Sequence, residues 1–268
     1  MQLMRMSALK DFETCPFMYR TLWGELGEAG RVETEESPTN KYAQYGIIFH
    51  EAMEKHALSK MNDTPLSLEQ LHGILDEKLK EFDLSLVKDE EEHLEWSKSL
   101  HEQLDWGYES ETMWATNVIG TEVTFKLDDL ITGVTLPFKG TMDRITGDLD
   151  KKEVSIKDWK TGKVFTRKEL SNNIQATVYS LAFYRMFGFL PKEFVFIFTK
   201  HKKTKTIQIT PDFLERGIER VLTNWYKISN GECTPNTSNK FFCKNFCSVS
   251  KECPSNKRVE KKGWENVG

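Results

Sequence analysis

The chain has 268 residues, of which 38% are hydrophobic and 29% are charged. It is therefore long enough to bury a hydrophobic core and has the ordinary composition of a water-soluble protein. No apolar run approaches the roughly 20 residues that span a membrane, and the start MQLMRMSALKDF has no signal-peptide pattern, so we expect a cytoplasmic protein without a membrane partner. The net charge of −4 conceals an asymmetry between the two halves of the chain. Residues 1–115 hold 11 Lys or Arg against 24 Asp or Glu, whereas residues 116–268 hold 26 Lys or Arg against 17 Asp or Glu. A basic second half fits a polyanion-binding face, although glutamate-rich helix surfaces explain the asymmetry more simply.

The periodicity of the apolar residues predicts helices first, and then a mixture of strands and helices. Helical spacing covers residues 7–22, 41–60, 66–83 and 89–116. The pattern after that predicts strands over 118–127, 131–146 and 153–159, a helix over 168–187, strands over 193–199 and 205–209, and a helix over 211–230. We therefore expect an α/β fold with a helical region over 1–116, a core over 117–230 and an irregular cysteine-rich tail over 231–268.

Three polar residues of the two central predicted strands can meet on one face. Asp158 and Lys160 are two positions apart, so their side chains project from the same face, and Trp159 points the other way. Asp143 lies on the preceding strand, and pairing across the polar turn at 147–150 would bring it near Asp158. Two converging carboxylates can hold Mg²⁺ or Mn²⁺, which polarises a phosphodiester while a lysine neutralises developing charge. Taken alone, an exposed ion-paired hairpin is the simpler explanation.

Four separated segments carry a more specific pattern. In chain order they are SALKDFETCPFMYR, YGIIFHEAME, GTMDRI followed by SIKDWKTGK, and NIQATVYSLAFY. Together they resemble the PD-(D/E)xK nuclease superfamily, in particular the RecB-like branch that includes Cas4-type exonucleases. The match lies in their order and spacing over about residues 7–254. The resemblance implies a restriction-endonuclease-like core, in which helices flank a central mixed sheet, with an N-terminal helical lobe and a C-terminal cysteine-rich tail.

The resemblance also implies roles for the residues at the matching positions. Asp143 and Asp158 would be ligands of Mg²⁺ or Mn²⁺, Lys160 would be the catalytic lysine, and His50 would be an additional metal ligand. The implied activity is metal-dependent hydrolysis of phosphodiester bonds by a DNA exonuclease.

Three further residues are candidates near this site. Gln175 and Tyr179 are four residues apart on one helix face, and the resemblance places them beside the DNA or the metal. A core position with a satisfied hydroxyl explains Tyr179 almost as well. Glu122, on the strand before the hairpin, is a minor candidate because glutamate at a strand edge is usually solvated.

Four of the five cysteines form a second pattern. Cys243, Cys247 and Cys253 follow C-x3-C-x5-C, and Cys15 lies in a Cys-Pro pair near the start. Clustered thiols without a secretory signal point to a metal or redox centre rather than to disulfides. The resemblance implies a structural [4Fe–4S] cluster, and a structural Zn²⁺ is the alternative. Cys233 is left over.

Three groups of basic residues could neutralise phosphates without reading the base sequence. They are Lys157, Lys160, Lys163, Arg167 and Lys168; Lys200, His201, Lys202, Lys203 and Lys205; and Lys257, Arg258, Lys261 and Lys262. Trp159, Phe165 and Trp264 could stack on bases of a single strand, although strand alternation turns Trp159 towards the core.

We therefore expect a DNA exonuclease that acts on single strands or DNA ends in recombination, repair or phage DNA processing. Two alternatives remain open. One is a nuclease subunit that is active only with a helicase, integrase or recombination partner. The other is a non-catalytic iron–sulfur DNA-binding protein, against which the intact Asp143, Asp158 and Lys160 argue.

Overall fold

The structure of the protein is a computed structural model that describes residues 3–24, 41–110 and 117–256, without the side chain of Asn245. Among the helices of these ranges, none combines the length and apolarity needed to cross a membrane. The elements are β1 (Met4–Arg5), α1 (Met6–Thr14), α2 (Pro16–Trp23), α3 (Lys41–Met61), α4 (Leu68–Leu79), α5 (Glu90–Glu109), β2 (Val118–Leu127), β3 (Phe138–Asp148), β4 (Glu153–Lys160), α6 (Arg167–Ser171), α7 (Ile174–Phe187), β5 (Glu193–Phe198), β6 (Lys203–Gln208), α8 (Pro211–Ser229) and α9 (Lys240–Asn245).

The chain divides into two compact units. Of the described residues, those within 1–38, 126–140 and 218–268 form one unit, and those within 39–125 and 141–217 form the other. The three regions expected from the sequence, with boundaries at residues 116 and 230, stay a prediction.

A mixed sheet forms the centre of the unit that contains residues 39–125 and 141–217. β3 and β4 are antiparallel, β4 and β5 are parallel, and β5 and β6 are antiparallel, while β2 also pairs with β3. A parallel pair needs a long crossover connection, which α6 and α7 supply between β4 and β5. The predicted α/β class, with helices flanking a central mixed sheet, is confirmed.

Different helices cover the two faces of this sheet. Trp159, Val195 and Ile197 are buried in one apolar cluster with residues of α3, α4 and α5. On the opposite face, the ring of Tyr179 on α7 lies 6.1 Å from that of Phe194. Because side chains alternate along a strand, Asp158 and Lys160 project towards the α7 face, away from the cluster around Trp159.

The other unit contains both ends of the described chain. β1 pairs in parallel with the first residues of β3, with Met4 opposite Phe138. Cys15 separates α1 from α2 in an extended conformation (φ −162°, ψ 114°), because the residue before a proline avoids helical geometry. Arg220 of α8 donates from Nη2 to Oε2 of Glu13 at 2.9 Å, which ties α8 to α1.

Several predicted boundaries were wrong for local reasons. The predicted helix 7–22 is interrupted at Cys15. The predicted strand 131–146 begins only at Phe138, since Gly133 (φ 80°) forms a turn and Pro137 has no N–H to donate. The predicted helix 168–187 is divided at Asn173, whose side chain accepts a hydrogen bond from the backbone of Ala176 and starts α7.

Two other predictions differ at the ends of elements. The predicted helix 66–83 is shorter, because α4 ends at Leu79, and the tail expected to be irregular contains the short helix α9. The predicted helix 89–116 corresponds to α5, which ends at Glu109; residues 111–116 lie outside the described ranges.

Candidate metal centre

The hairpin of β3 and β4 opens at the point where the carboxylates lie. Its antiparallel backbone register extends to Arg144 opposite Lys157. One residue further, the side chain of Asp143 accepts a hydrogen bond at Oδ2 from the backbone N–H of Trp159 at 2.8 Å. The carboxylate thus takes the place of a backbone carbonyl as hydrogen-bond acceptor for this N–H of β4. This contact fixes the position of the carboxylate at the end of the hairpin.

Asp143 belongs to a group of three residues that could hold a metal ion. Its Oδ2 lies 3.6 Å from Nδ1 of His50 on α3. One ligand atom from each of His50, Glu122 and Asp143 lies within 4.8 Å of the others, and among the described residues this is the one such His/Cys/Asp/Glu group. Carboxylate oxygens with one imidazole nitrogen suit Mn²⁺, and the oxygens suit Mg²⁺.

Glu122 reaches this group through an unusual backbone conformation. Its φ is 48°, in the left-handed region that residues with side chains seldom adopt and that costs about 1–2 kcal/mol. Thr121 beside it donates from Oγ1 to the carbonyl oxygen of Asp143 at 3.1 Å, which holds this part of β2 against β3. Such conformations persist only where the surrounding structure maintains them, and they are concentrated at functional sites.

The electrostatics of the group favour a bound cation. Burial, and then the negative charge of Asp158, raise the pKa of Asp143 well above its usual range. Burial and then Asp143 raise the pKa of Glu122 to about 7. Burial lowers the pKa of His50, so the imidazole is neutral and can coordinate a metal. A divalent cation would remove the cost of holding these carboxylates together, so the residues present fit one.

Asp158, Lys160 and Gln175 form a hydrogen-bonded set beside the group. Nζ of Lys160 lies 2.5 Å from Oδ2 of Asp158, and Nε2 of Gln175 donates to Oδ1 of the same carboxylate at 2.5 Å. Lys160 also donates to Oε1 of Gln175 at 3.4 Å. Both oxygens of the buried Asp158 therefore have a donor nearby, and the two hydrogen bonds of Gln175 link α7 to β4.

Tyr179 lies one turn beyond Gln175 and is buried. Its ring packs edge-on against Phe125 with the centroids 5.6 Å apart. Burial, and then the negative charge of Asp158, raise the pKa of its hydroxyl, which also contacts the backbone of Thr141 and the side chain of Gln175. Tyr179 thus combines the core position and the place near the carboxylates that the sequence left as alternatives.

An open cavity of about 480 Å³ gives access to this part of the unit. It is lined by Tyr42, Ala43, Gly46, Ile47, His50, Glu51, Glu54, Glu122 and Thr161. His50 and Glu122 are therefore the residues of the candidate metal group that border the cavity.

The structure brings together most residues that the sequence singled out. His50 lies beside Asp143, and Lys160 and Gln175 lie beside Asp158. The group of converging ligand atoms, however, contains Glu122 and does not contain Asp158. Sequence reasoning ranked Glu122 low because glutamate at a strand edge is usually solvated. The pattern of apolar residues does not predict the left-handed backbone at Glu122. Gly120, two residues earlier, is the one local hint of an irregular strand.

Two residues of the expected DNA-contacting groups are buried instead. Lys157 and Trp159 share one face of β4 and are both buried, so the expectation that Lys157 contacts phosphate is wrong. The expectation that strand alternation turns Trp159 towards the core, and so away from DNA bases, is confirmed. Burial lowers the pKa of Lys157 to about 8. The exposed basic residues Lys163, Arg167, Lys168, Lys200, His201, Lys202 and Lys203 remain candidates. Lys257, Arg258, Lys261, Lys262 and Trp264 lie outside the described residues.

Four cysteines line one small cavity in the unit that contains both chain ends. They are Cys15, Cys243, Cys247 and Cys253. Asn236 connects two of them, since its N–H donates to Sγ of Cys15 at 3.3 Å and its carbonyl oxygen accepts from Sγ of Cys243 at 3.6 Å. Cys233 is exposed and does not line this cavity.

Replacing Glu122 by glutamine is expected to weaken Mn²⁺ binding by about 10–100-fold. Metal binding must displace the proton that the raised pKa of Glu122 retains near pH 7, so the wild-type affinity should rise with pH from about 6 to 8 and that rise should shrink in the variant. Calorimetric titration with Mn²⁺ at several pH values measures both effects. Glu54→Gln, in the same cavity but outside the three-residue group, is the matched control. Equal affinities for Glu122→Gln and wild type would contradict the prediction.

A mixed sheet that presents converging carboxylates, a histidine and a lysine defines a candidate divalent-metal centre of the nuclease type. Residues 5–254 match the family model of the PD-(D/E)XK nuclease superfamily, and the chain belongs to that superfamily. Membership implies a metal-dependent nuclease that would bind DNA.

The fold is also similar to a solved structure. This is the crystal structure of a protein of Eubacterium rectale that carries the provisional name exonuclease; the TM-score is 0.57 at 16% identity, over 94% of this chain and 88% of that chain. At this identity the likeness shows the fold alone. No curated protein matches the sequence significantly.

Proposed function

We propose that this protein is a DNA exonuclease that requires Mg²⁺ or Mn²⁺ and acts on single strands or DNA ends. The observation that carries the proposal is the convergence of His50, Glu122 and Asp143 next to the Asp158–Lys160 pair. The provisional name of the Eubacterium rectale protein agrees with it. The proposed setting is recombination, repair or phage DNA processing, either alone or with a helicase, integrase or recombination partner.

The proposed metal ligands are His50, Asp143, Asp158 and Glu122. When bound, Mg²⁺ or Mn²⁺ would polarise a phosphodiester oxygen and lower the pKa of a bound water. The neutral imidazole of His50 offers a lone pair, and the Trp159 N–H keeps the Asp143 carboxylate pointing into the group. Glu122 enlarges the set predicted from the sequence.

Lys160 and Gln175 would act on the charge that develops during cleavage. The ammonium of Lys160, held by Asp158 and Gln175, can neutralise a negatively charged phosphate oxygen placed beside it. Gln175 positions both Asp158 and Lys160, because it donates to one and accepts from the other. The buried Tyr179 would support Gln175 from one turn away.

Exposed basic residues supply the proposed contacts to the DNA backbone. Arg167 and Lys168 lie at the start of α6, which follows the catalytic strand β4. Lys200, His201, Lys202 and Lys203 surround the turn between β5 and β6. Contacts of this type bind phosphate without reading bases, so we expect little sequence specificity and a strong dependence on salt.

One assay tests the proposal. The purified protein is incubated with end-labelled single- and double-stranded DNA in Mg²⁺ or Mn²⁺, with chelator, and as Asp143→Ala. Release of labelled nucleotides from the ends, lost with chelator and lost in the variant, is the expected result. Asp150→Ala, in the turn after β3, is the control that should keep activity. Cleavage that survives chelation or that Asp143→Ala retains would sink the proposal.

We further propose that Cys15, Cys243, Cys247 and Cys253 hold a structural [4Fe–4S] cluster. The four residues line one cavity, and the extended conformation imposed at Cys15 by Pro16 supports its place there. Burial, and then the neighbouring cysteines, raise the pKa of Cys243. Crowded thiols of this kind become stable thiolates when a metal centre binds them, so the donor set fits such a cluster.

Anaerobically purified protein is therefore expected to be brown, with about four irons per chain. Cys15→Ser should lose most of the iron and the visible absorption, and its thermal midpoint should fall because the group that joins both chain ends is lost. Cys233→Ser, which changes the exposed cysteine outside the cavity, should keep colour and iron. Colourless protein that carries stoichiometric Zn²⁺ would contradict the iron–sulfur assignment and support a zinc site.

A further inference from the structure

Two histidine–aspartate pairs form a cluster on α4 and α5 that shares no residue with the candidate metal centre. His72 and Asp76 are four residues apart on α4, and His101 and Asp105 are four residues apart on α5. This spacing puts each pair on one helix face. Because α4 and α5 pack against each other in the same apolar cluster, the two pairs meet at the helix surface.

The contacts of the cluster cross from one helix to the other. Nε2 of His72 lies 2.7 Å from Oδ1 of Asp105, and Nε2 of His101 lies 3.0 Å from Oδ1 of Asp76. The two ring planes are inclined by 21°, and the ring centroids lie 4.8 Å apart. The remaining two ring nitrogens, both Nδ1, face each other at 2.5 Å.

These contacts decide where the ring protons lie. A carboxylate can only accept a hydrogen bond, so each Nε2 carries a proton, and Nδ1 of a neutral ring then holds the lone pair. Two lone pairs that face each other at 2.5 Å repel unless a cation lies between them. That cation is either one shared proton or a metal ion.

We propose that His72 and His101 bind a transition-metal dication of the Zn²⁺ or Ni²⁺ type through their Nδ1 atoms. Imidazole is a preferred ligand of these ions, whereas Mg²⁺ prefers oxygen. A carboxylate on the opposite ring nitrogen is the usual second partner of a metal-bound histidine, because it fixes the tautomer and the ring orientation. Asp105 and Asp76 hold that place on the two rings.

The site is accessible and can adjust to an ion. The side chains of His72 and His101 are 27% and 26% exposed, so an ion can reach them and water can complete its coordination. Two nitrogens on one tetrahedral Zn²⁺ lie about 3.4 Å apart, so the rings would separate by roughly 1 Å. Such an ion would join α4 to α5 and would be independent of the nuclease chemistry.

Calorimetric titration with Zn²⁺ in saturating Mg²⁺ tests the site by comparing the Zn²⁺ stoichiometry of wild type and variants. Any Zn²⁺ bound by the cysteines or by the candidate metal centre is the same in all of them, because those residues are unchanged. Wild type should bind one equivalent more than His72→Asn or His101→Asn. Asp76→Asn and Asp105→Asn should bind this equivalent about 10–100-fold more weakly. His201→Asn, which changes an exposed histidine outside the cluster, should match wild type.

A second measurement on the unmodified protein keeps the test independent of how the variants fold. Nitrogen-15 spectra of the histidine rings should show protonated Nε2 on His72 and His101, and Zn²⁺ should shift both Nδ1 signals. Unchanged Nδ1 signals in excess Zn²⁺ would mean that a shared proton occupies the gap, and this would overturn the proposal. Equal Zn²⁺ stoichiometry for wild type and both histidine variants would overturn it as well.

Discussion

Replacing Asp143 by asparagine is expected to stabilise the metal-free protein and at the same time to abolish DNA cleavage. Burial and the charge of Asp158 raise the pKa of Asp143, so the folded metal-free chain ionises this group only at a cost that the unfolded chain does not have. Asparagine keeps the size of the side chain and still accepts from the Trp159 N–H, but it cannot be an anionic metal ligand.

The gain in stability has a definite dependence on pH. The pKa of Asp143 is raised in the folded state above its unfolded value near 4, so the bound proton stabilises the fold fully below about pH 4. This contribution is lost as the pH rises towards the raised value, because the unfolded chain then holds fewer protons than the folded one. Relative to wild type in chelator, Asp143→Asn should gain little at about pH 4 and about 1–3 kcal/mol at about pH 8.5.

Divalent metal should reverse the order of the two proteins. Mn²⁺ at a thousandfold excess over its dissociation constant stabilises a binding-competent fold by about 4.1 kcal/mol, which exceeds the advantage of the variant and which Asp143→Asn should not gain. Urea unfolding at both pH values, with chelator and with Mn²⁺, measures all four differences. The result is contradicted if the variant is the less stable protein in chelator at high pH, or if Mn²⁺ stabilises both proteins equally.

Asp148→Asn is the matched control for this experiment. Asp148 ends the same strand, but the backbone N–H and the ammonium of Lys151 lower the pKa of its carboxyl. The ionised carboxylate of Asp148 therefore stabilises the fold above its ordinary pKa, and this stabilisation is lost as the pH falls. The stabilisation by the protonated Asp143 is instead lost as the pH rises. The control variant should therefore lose rather than gain stability at neutral pH, and it should keep its response to Mn²⁺.

Local patterns were sufficient to predict the hairpin of the candidate site. Alternation along β4 put Asp158 and Lys160 on one face, and a short polar turn before β4 implied antiparallel pairing with the strand of Asp143. The same alternation also places Lys157 on the buried face with Trp159. The expectation of a phosphate contact at Lys157 was therefore wrong for a reason that the sequence already contained.

The approach of residues from distant elements could not be derived from local patterns. The hydrogen bond from Gln175 to Asp158 depends on how α7 packs on the sheet, and only the family resemblance pointed to Gln175. Glu122 joins His50 and Asp143 because its backbone is left-handed, which breaks the strand period that sequence reasoning relies on. The contact between α4 and α5 that places His72 beside His101 likewise depends on tertiary packing.

The interruption of the first predicted helix shows a signal that was present but outweighed. Leu9 and Phe12 have helical spacing, which favoured one continuous helix over 7–22. Pro16 excludes helical geometry at Cys15, and the structure has Cys15 extended between two short helices. The break places the thiol in the cavity with the three cysteines of the tail, so the local rule and the cysteine pattern support one another.

Lys160→Gln is expected to slow DNA cleavage by about 10²–10³-fold while Mn²⁺ still binds. In the proposed mechanism the ammonium faces the charge that develops on the phosphate, and Lys160 is not a metal ligand. Its Nζ lies 2.5 Å from Asp158, so its loss leaves a buried carboxylate without a cation. The metal-free variant should therefore be less stable than wild type, and Mn²⁺ should restore part of the loss because it neutralises the same carboxylates.

Single-turnover cleavage of end-labelled single-stranded DNA at saturating Mn²⁺ isolates this effect from metal affinity. Lys163→Gln is the matched control, since Lys163 is exposed, follows the same strand and pairs with Glu169 at 2.9 Å. Its loss should change the rate by less than about threefold and slightly reduce the dependence on salt. A Lys160→Gln rate within about threefold of wild type would show that the ammonium has no part in the reaction. Lost Mn²⁺ binding would instead make Lys160 a residue that shapes the metal centre.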